Sequence, residues 1–157
     1  MKKPPKNFHP EPFAYHEEIE LEIEDLTNLG QGVGRLEGWV VFVPFALPGE
    51  RVRARIWRNK SSYSDADLVE ILESIPERVE PACSLFGVCG GCQYQHYDYA
   101  AQLEWKRRQI AQLMKKMAGL DLDVNACLGC PDHTYHYRSK ITPHFRRPPT
   151  DPSIPIG

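Results

Sequence analysis

The first regular pattern along the chain is an alternation of acidic and apolar residues from Glu18 to Glu24. Ile19, Leu21 and Ile23 fall on one face of an extended strand, and glutamates occupy the other face. A half-buried antiparallel strand produces this pattern, because one face packs on a core while the other meets water. We therefore expect a β-strand to begin at Glu18.

Further strand signals follow at short intervals. A β-branched and aromatic run, WVVFVPF, covers residues 39 to 45, and the run RVRARIW alternates again with Val52, Ala54 and Ile56 inward. A last run, ADLVEIL, follows a polar loop. At least four short strands with turns between them predict a small β-barrel.

The segment NLGQGVGRLEG, residues 28 to 38, holds four glycines between the first two strand signals. It has neither the GxGxxG spacing nor the GK[ST] ending of phosphate-binding loops, and no helical pattern follows it. We interpret these glycines as positive-φ turns between twisted strands.

The two ends of the strand region have a different composition. Residues 1 to 14 carry four prolines and three lysines, which predicts a flexible arm. Pro76 and Pro81 mark a boundary behind the last strand. The sequence thus predicts an arm, a barrel over residues 15 to 76 and a second region over residues 77 to 157.

The second region predicts one main α-helix. Apolar residues recur at helical spacing from Leu103 to Met117. Asp98 precedes them as a candidate N-cap, and Gly119 follows them as a stop signal. Beyond this helix the stretch TYHYRSKITPHF indicates the start of another strand, and the chain then becomes rich in proline. We therefore expect the second region to be truncated.

Composition places the chain among ordinary folded proteins. Hydrophobic residues make up 41% and charged residues 25%, and no apolar run is long enough to span a bilayer. The first residues lack the apolar core of a signal peptide, so we expect a cytoplasmic protein with no membrane partner. The net charge of -2 means that nucleic-acid binding has to come from local patches.

One such patch is predicted on the third strand signal. Arg51, Arg53, Arg55 and Trp57 share its outward face, and Lys60 and Tyr63 follow in the next loop. Guanidinium groups pair with phosphates and aromatic rings stack on bases, so the first five of these residues are the candidates for RNA contacts, with Tyr63 beside them. A solvated charged strand face is the alternative, and the residues alone leave both readings open.

The stretch CSLFGVCGGCQYQH, residues 83 to 96, places three of the five cysteines within ten positions. An odd, crowded set of thiols argues against a secreted disulfide framework and for a metal site. Gly90 and Gly91 allow the backbone to fold tightly between Cys89 and Cys92.

Two kinds of metal site fit the spacing. A structural zinc site would use the two CxxC pairs, Cys89 with Cys92 and Cys127 with Cys130. An iron-sulfur cluster would use Cys83, Cys89 and Cys92, with a fourth ligand from elsewhere. The spacing alone does not decide between these metals.

The run from residue 83 to residue 110, CSLFGVCGGCQYQHYDYAAQLEWKRRQI, resembles the cluster segment of the bacterial RNA uridine-C5 methyltransferases, 23S rRNA type. The shared features are Cys-x5-Cys-x2-Cys, the GGC, the QH and a following Tyr-x-x-Gln-Leu-x-x-Lys. The preceding barrel is similar to the TRAM domain of that family, through GQGVGR and FVPFALPGERV. YHYRSKI, residues 135 to 141, resembles the family's Tyr-Arg-x-Lys segment.

The resemblance implies a fold and a set of ligands. The fold would be α+β, with an OB-like five-stranded TRAM barrel followed by a cysteine-rich segment, one main helix and the start of a central RNA-binding domain. Cys83, Cys89 and Cys92 would bind a 4Fe-4S cluster, and the barrel would grip structured RNA, either rRNA or tRNA. No DNA partner is expected.

The family chemistry is methyl transfer from S-adenosylmethionine to carbon 5 of uridine. In the family, the fourth cluster cysteine and the catalytic domain lie downstream of the residues matched here, and no catalytic residue can be assigned in this sequence. We therefore expect this chain alone to be inactive, with S-adenosylmethionine binding only in the absent domain. The alternatives are a stand-alone RNA-binding module with a structural zinc site and a degraded fragment whose metal site is empty.

Overall fold

The computed structural model describes residues 4–6, 8–88 and 90–135 of the 157-residue chain. These residues form five strands, one α-helix and one short 3-10 helix. The elements are β1 (Glu18–Leu26), β2 (Gln31–Leu36), β3 (Trp39–Pro44), β4 (Arg51–Asn59), β5 (Tyr63–Glu73), α1 (Tyr99–Ala118) and the 3-10 helix Pro131–His133. The chain divides into two compact units, which are Met1–Glu80 with Gln93–Asp98, and Pro81–Cys92 with Tyr99–Gly157.

The five strands close into a barrel in the order β1-β2-β3-β5-β4. All neighbouring strands are antiparallel except β3 and β5, which are parallel. Closure leaves no strand edge with unpaired backbone groups, which lets so small a sheet exist without a covering layer. The predicted five-stranded barrel followed by one helix is confirmed.

The barrel core consists of the inward side chains of alternating positions. Ile19, Leu21 and Ile23 of β1 are at most 7% exposed, as the alternation predicts. Ala54 and Ile56 of β4 are fully buried, again as predicted. Burying one leucine or isoleucine side chain contributes about 1.5–3 kcal/mol, so the large aliphatic residues at these positions contribute most to the stability of the barrel.

The glycine-rich segment differs from its prediction. Gly30 and Gly38 have φ values of +81° and +84° and form turns, but Gly32 and Gly34 lie inside β2. A Cβ built on Gly34 would lie 2.5 Å from the carbonyl oxygen of Glu22 on β1. The expectation of turns throughout is therefore wrong, because the two strand glycines let neighbouring backbones approach closely.

Residues 8 to 14 differ from the flexible arm that was expected over residues 1 to 14. Phe13 is 8% exposed and belongs to the barrel core, and Phe8 packs against that core. The Asn59 side-chain amide donates hydrogen bonds of 2.7 Å to the carbonyl oxygens of His9 and Phe13. Burial of aromatic surface outweighs the proline-rich composition, so the barrel takes in residues from Phe8 onward.

The barrel unit extends past the expected boundary at residue 76. It includes Gln93–Asp98, which we call the strap. The Tyr94 hydroxyl donates to the carbonyl oxygen of Thr27 at 3.1 Å, and the amide of Val79 donates to the carbonyl oxygen of His96 at 3.0 Å. The cysteine segment is therefore followed in sequence by residues that belong to the barrel.

The second unit contains α1. This helix ends at Ala118, where Gly119 takes a left-handed conformation with φ +68°, as predicted from its position. Trp105 is the buried residue of α1, whereas much of its predicted apolar face is exposed. The large exposed side chains on α1 are Ile110, Leu113 and Met117. No helix within the described part of the chain is long and apolar enough to cross a membrane.

Candidate nucleic-acid interface and cysteine segment

The predicted arginine face lies on the outside of β4, between β1 and β5. The strand register places Glu20 of β1 and Glu70 of β5 on either side of Arg53, and the neighbouring positions repeat this arrangement. We call the resulting row of charges the arginine ladder. Its members are Arg51, Arg53, Arg55, Glu20, Asp67, Glu70 and Glu73.

Ion pairs bind each arginine of the ladder to its neighbours. Arg51 contacts Glu20 at 2.9 Å and Glu73 at 3.2 Å, and Arg53 contacts Glu20 at 3.1 Å and Glu70 at 2.7 Å. The hydrogen bond with Glu20 and the charge of Glu70 raise the pKa of Arg53. Cross-strand pairs of opposite charge stabilise a sheet, so the ladder has a structural role of its own.

The ladder as a whole is not positively charged, because three guanidinium groups share four carboxylates. The whole barrel unit follows the same trend, with ten Lys and Arg residues against sixteen Asp and Glu residues over residues 1–80 and 93–98. A phosphate approaching Arg51, Arg53 or Arg55 has to displace a carboxylate. Exposed ion pairs contribute only about 0.2–1 kcal/mol each, so a phosphate can displace one of these carboxylates at a small cost. RNA contact by the three arginines therefore stays a prediction.

Trp57 and Lys60, the other predicted RNA contacts, lie beyond the ladder at the end of β4. The strand register shifts between Ile56 and Arg58, so Trp57 and Arg58 both point outward. The Arg58 guanidinium carbon lies 4.6 Å from the centroid of the Trp57 ring, and Lys60 is exposed. Sequence reasoning missed Arg58, although the break in alternation at these positions signals a β-bulge.

A second pair of rings lies on the neighbouring strands. Phe42 of β3 and Tyr63 at the start of β5 meet edge to face, with ring centroids 5.1 Å apart. Sequence reasoning singled out Tyr63 but not its contact with Phe42, because β3 and β5 are parallel neighbours that are not consecutive in the chain. Nothing in the local sequence indicates that contact.

One residue of the strap, His96, is buried close to the ion pair between Arg78 and Glu50. His96 is 2% exposed, and burial together with the charge of Arg78 lowers its pKa to about 4. Arg78 in turn pairs with Glu50, whose side chain is fully buried and accepts a hydrogen bond of 2.8 Å from the amide of Leu47. His96 belongs to the QH pair singled out in the sequence, and the structure places it in the packing of the barrel unit.

The cysteines are described only in part. Cys83 and Cys92 are exposed thiols outside any disulfide, and the same holds for Cys127 and Cys130. Cys89 lies outside the described residues. Among the residues that are described, no three His, Cys, Asp or Glu side chains gather closely enough to hold a metal. The three-cysteine ligand set therefore stays a prediction.

The cysteine segment still has the donor chemistry of a metal site. From Pro81 to Cys92 the sequence contains no charged residue. The backbone of residues 84–88 forms turns, including Gly87 at φ +85°. Exposed thiols on such a loop suit soft metals, because thiolates are the ligands that iron-sulfur clusters and structural zinc share.

Of the predicted YHYRSKI strand segment, all residues except Tyr135 lie outside the described part of the chain.

Comparison with known proteins gives a family match for the barrel. Residues 16–69 match the TRAM domain. An uncharacterized RNA methyltransferase of Clostridium acetobutylicum is 38% identical over 133 residues, which cover 83% of this chain and 29% of that protein. The 23S rRNA (uracil(1939)-C(5))-methyltransferase of Ralstonia nicotianae is 46% identical over 129 residues, which cover 78% of this chain and 29% of that protein.

A solved structure gives a further likeness. The tRNA (uracil-54, C5)-methyltransferase of Pyrococcus abyssi, in complex with S-adenosyl-L-homocysteine, is 31% identical with a TM-score of 0.40. The match covers 64% of this chain and 21% of that protein. The chain spans less than a third of the length of the curated relatives that it matches. Residues 16–69 therefore form a TRAM domain, in a chain related along most of its length to proteins named RNA methyltransferases.

Proposed function

We propose that this chain is the RNA-recognition part of an RNA methyltransferase, with the TRAM barrel as a principal RNA-binding module. The observation that carries the proposal is the TRAM match over residues 16–69, together with 46% identity to a 23S rRNA methyltransferase. Barrels of the OB type bind oligonucleotides on their strand faces and loops. The partner would be structured RNA, with rRNA favoured over tRNA, and neither DNA nor a membrane is proposed as a partner.

The methyl transfer itself is proposed only for the whole protein. The relatives named as uracil-C5 methyltransferases act on 23S rRNA and on tRNA, and the aligned residues make up less than a third of their length. We propose that the whole protein transfers a methyl group from S-adenosylmethionine to carbon 5 of a uridine, in the cytoplasm. This chain alone would bind RNA without methylating it.

The cysteine segment is proposed to hold a 4Fe-4S cluster through Cys83, Cys89 and Cys92, with a fourth ligand still unassigned. Two of these cysteines are exposed thiols on a loop free of charged residues, which supports thiolate ligation. When bound, such a cluster would cross-link the loop. Uridine methylation through a covalent thiolate adduct needs no electron transfer, so no redox role is proposed.

RNA binding by the whole chain is the direct test of this function. A fluorescently labelled 23S rRNA fragment with exposed uridine loops should bind saturably, and its affinity should fall as salt rises. A DNA duplex of equal length is the control and should bind more weakly. Equal affinity for the RNA and the DNA duplex, or no RNA binding even at low ionic strength, would show that the proposed RNA recognition is wrong.

Metal analysis tests the cysteine proposal separately. The chain purified without oxygen should be brown and contain iron and inorganic sulfide, and Cys83→Ser should lose both. A colourless protein with one zinc per chain would favour the alternative of a stand-alone RNA-binding module with a structural zinc site. In that case Cys127→Ser would release the zinc and Cys83→Ser would not.

A further inference from the structure

The barrel has a second outward surface, distinct from the arginine ladder, which we call the aromatic patch. It lies at the end of β4 and on the adjoining parts of β3 and β5. Its members are Phe42, Trp57, Arg58, Lys60 and Tyr63.

The patch is continuous from β4 to β3. The shift of register around Trp57 turns both Trp57 and Arg58 to the outside, where the guanidinium group covers the indole ring. Arg58 also contacts Asp65 at 2.7 Å, and the register of the parallel pair places Asp65 opposite Phe42. The Phe42 ring then meets Tyr63. Three aromatic rings and a guanidinium plane therefore share one region of the barrel surface.

The rings point outward and are not part of the core. Val41 and Val43, the residues on either side of Phe42, are fully buried, so Phe42 lies on the opposite face of β3. Trp57 is 37% exposed, and Tyr63 is half-buried. Aromatic side chains that are open to solvent on a strand face are typical of surfaces on which nucleic-acid bases stack.

The charge of the patch also differs from that of the ladder. Arg58 pairs with Asp65, whereas Lys60 in the turn between β4 and β5 forms no ion pair within the described parts of the chain. When Asp65 is counted with the patch, two cations face one anion there, whereas the ladder has three cations and four anions. A phosphate can reach Lys60 without first breaking an ion pair.

A buried hydrogen-bond network holds the patch in place. Asn59, 2% exposed, accepts a hydrogen bond of 2.7 Å from the Ser64 hydroxyl, and that hydroxyl accepts one of 2.9 Å from the Trp39 indole. In the sequence, Asn59 lies between Arg58 and Lys60, and Ser64 directly follows Tyr63. A satisfied buried network restricts motion, and a surface fixed in advance loses less entropy when a ligand binds.

We propose that the aromatic patch, and not the arginine ladder, is the RNA-contacting surface of the barrel, and that it binds unpaired nucleotides by stacking. The proposal rests on the RNA-binding function proposed above and deepens it. Trp57 and Tyr63 stack on bases, Lys60 pairs with a phosphate, and the ladder holds β1, β4 and β5 together.

Binding of a labelled single-stranded RNA to the full chain tests this assignment. Base stacking on an aromatic side chain contributes about 1–3 kcal/mol, so Trp57→Ala and Tyr63→Ala should each weaken binding roughly 5- to 150-fold. Trp57→Phe keeps a ring and should recover most of the affinity. Thermal unfolding of each variant checks that the barrel remains folded.

A charge-neutral double variant of the ladder is the matched control. Arg53→Gln combined with Glu70→Gln removes the ion pairs of Arg53 with Glu70 and with Glu20 and leaves the net charge unchanged. This double variant should keep the affinity within about twofold of wild type, less than half a kcal/mol. Lys60→Gln should reduce the slope of log affinity against log salt by about 0.7, and the double variant should leave that slope unchanged.

The outcomes separate the two proposals. If the wild-type chain binds RNA but the folded Trp57→Ala and Tyr63→Ala variants bind equally well, the patch assignment is wrong and RNA recognition stands. If the double variant of the ladder loses as much affinity as Trp57→Ala, the ladder also contacts the RNA and the assignment to the patch alone is wrong. Failure of the wild-type chain to bind any RNA would overturn both proposals.

Discussion

Acidification should destabilise the barrel unit through His96. This side chain is 2% exposed beside Arg78, and its pKa falls from an ordinary value of 6.5 to about 4 in the folded protein. Burial is the larger cause, because it penalises the charged imidazolium, and the positive charge of Arg78 acts in the same direction. The unfolded chain therefore binds a proton at His96 at a higher pH than the folded chain does.

The sign and size of the effect follow from that difference. The stabilisation from neutral His96 is fully present above pH 6.5, and it is lost as the pH falls toward 4. One pKa unit corresponds to about 1.4 kcal/mol, so the free energy of unfolding should drop by roughly 2.5 kcal/mol between pH 7.5 and 4.5. Glu50, which pairs with Arg78, keeps that positive charge in place near the imidazole.

Urea unfolding at the two pH values measures this loss. Tryptophan fluorescence in a Trp105→Phe background reports on the barrel, since Trp39 and Trp57 both belong to that unit. The matched variant His96→Gln cannot take up the proton, so the acid sensitivity of the exposed carboxylates is common to both proteins. If the wild type and His96→Gln lose the same stability between pH 7.5 and 4.5, the buried-histidine argument is wrong.

Two further changes test the packing of the barrel unit by the same unfolding measurement. Arg78→Met removes the partner of Glu50, whose side chain is fully buried, and should cost about 3–5 kcal/mol because a buried charge is left uncompensated. A cost under 1 kcal/mol would show that the pair is dispensable. Gly34→Ala places a Cβ against the Glu22 carbonyl oxygen and should cost at least about 2 kcal/mol, whereas Gly38→Ala, with open space around it, should cost about 1 kcal/mol for its positive φ. Equal costs for the two glycine substitutions would contradict the close approach of β1 and β2.

The strand pattern was predictable wherever one face of a strand meets the core. Ile19 and Leu21 on β1, and Val52 and Ala54 on β4, alternate with charged residues, and burial alone produces that period. The end of α1 just before Gly119 was equally predictable, because the residue that follows a helix often adopts a left-handed conformation, which favours glycine. These features depend only on residues close together in the sequence.

The features that could not be predicted depend on which strands are neighbours. Position 34 needs a glycine because the carbonyl oxygen of Glu22 on β1 lies where a Cβ would stand, and only the pairing of β1 with β2 reveals that approach. The same register turns Arg53 into a partner of Glu20 and Glu70, although the sequence shows the arginines as an open cationic face. Alternating charges on β1 and β5 were visible, but their alignment with β4 was not.

Burial of single side chains also overrode local composition. Phe13 belongs to the barrel core although it stands among prolines, and His96 is buried although it follows a cysteine loop. Each is held by contacts with residues distant in the sequence, such as Asn59 for the N-terminal segment. A proline-rich stretch therefore indicates where the chain is irregular, not where it is unpacked.

Ultraviolet cross-linking of the full chain to a 23S rRNA fragment, followed by mass spectrometry of the cross-linked peptides, most directly tests RNA recognition by the barrel. We expect cross-links at Trp57 or Tyr63, since rings stacked on bases lie in contact with the nucleotide. Cross-links found only outside residues 16–69, in a sample that binds the RNA, would show that the TRAM domain is not the surface that recognises it.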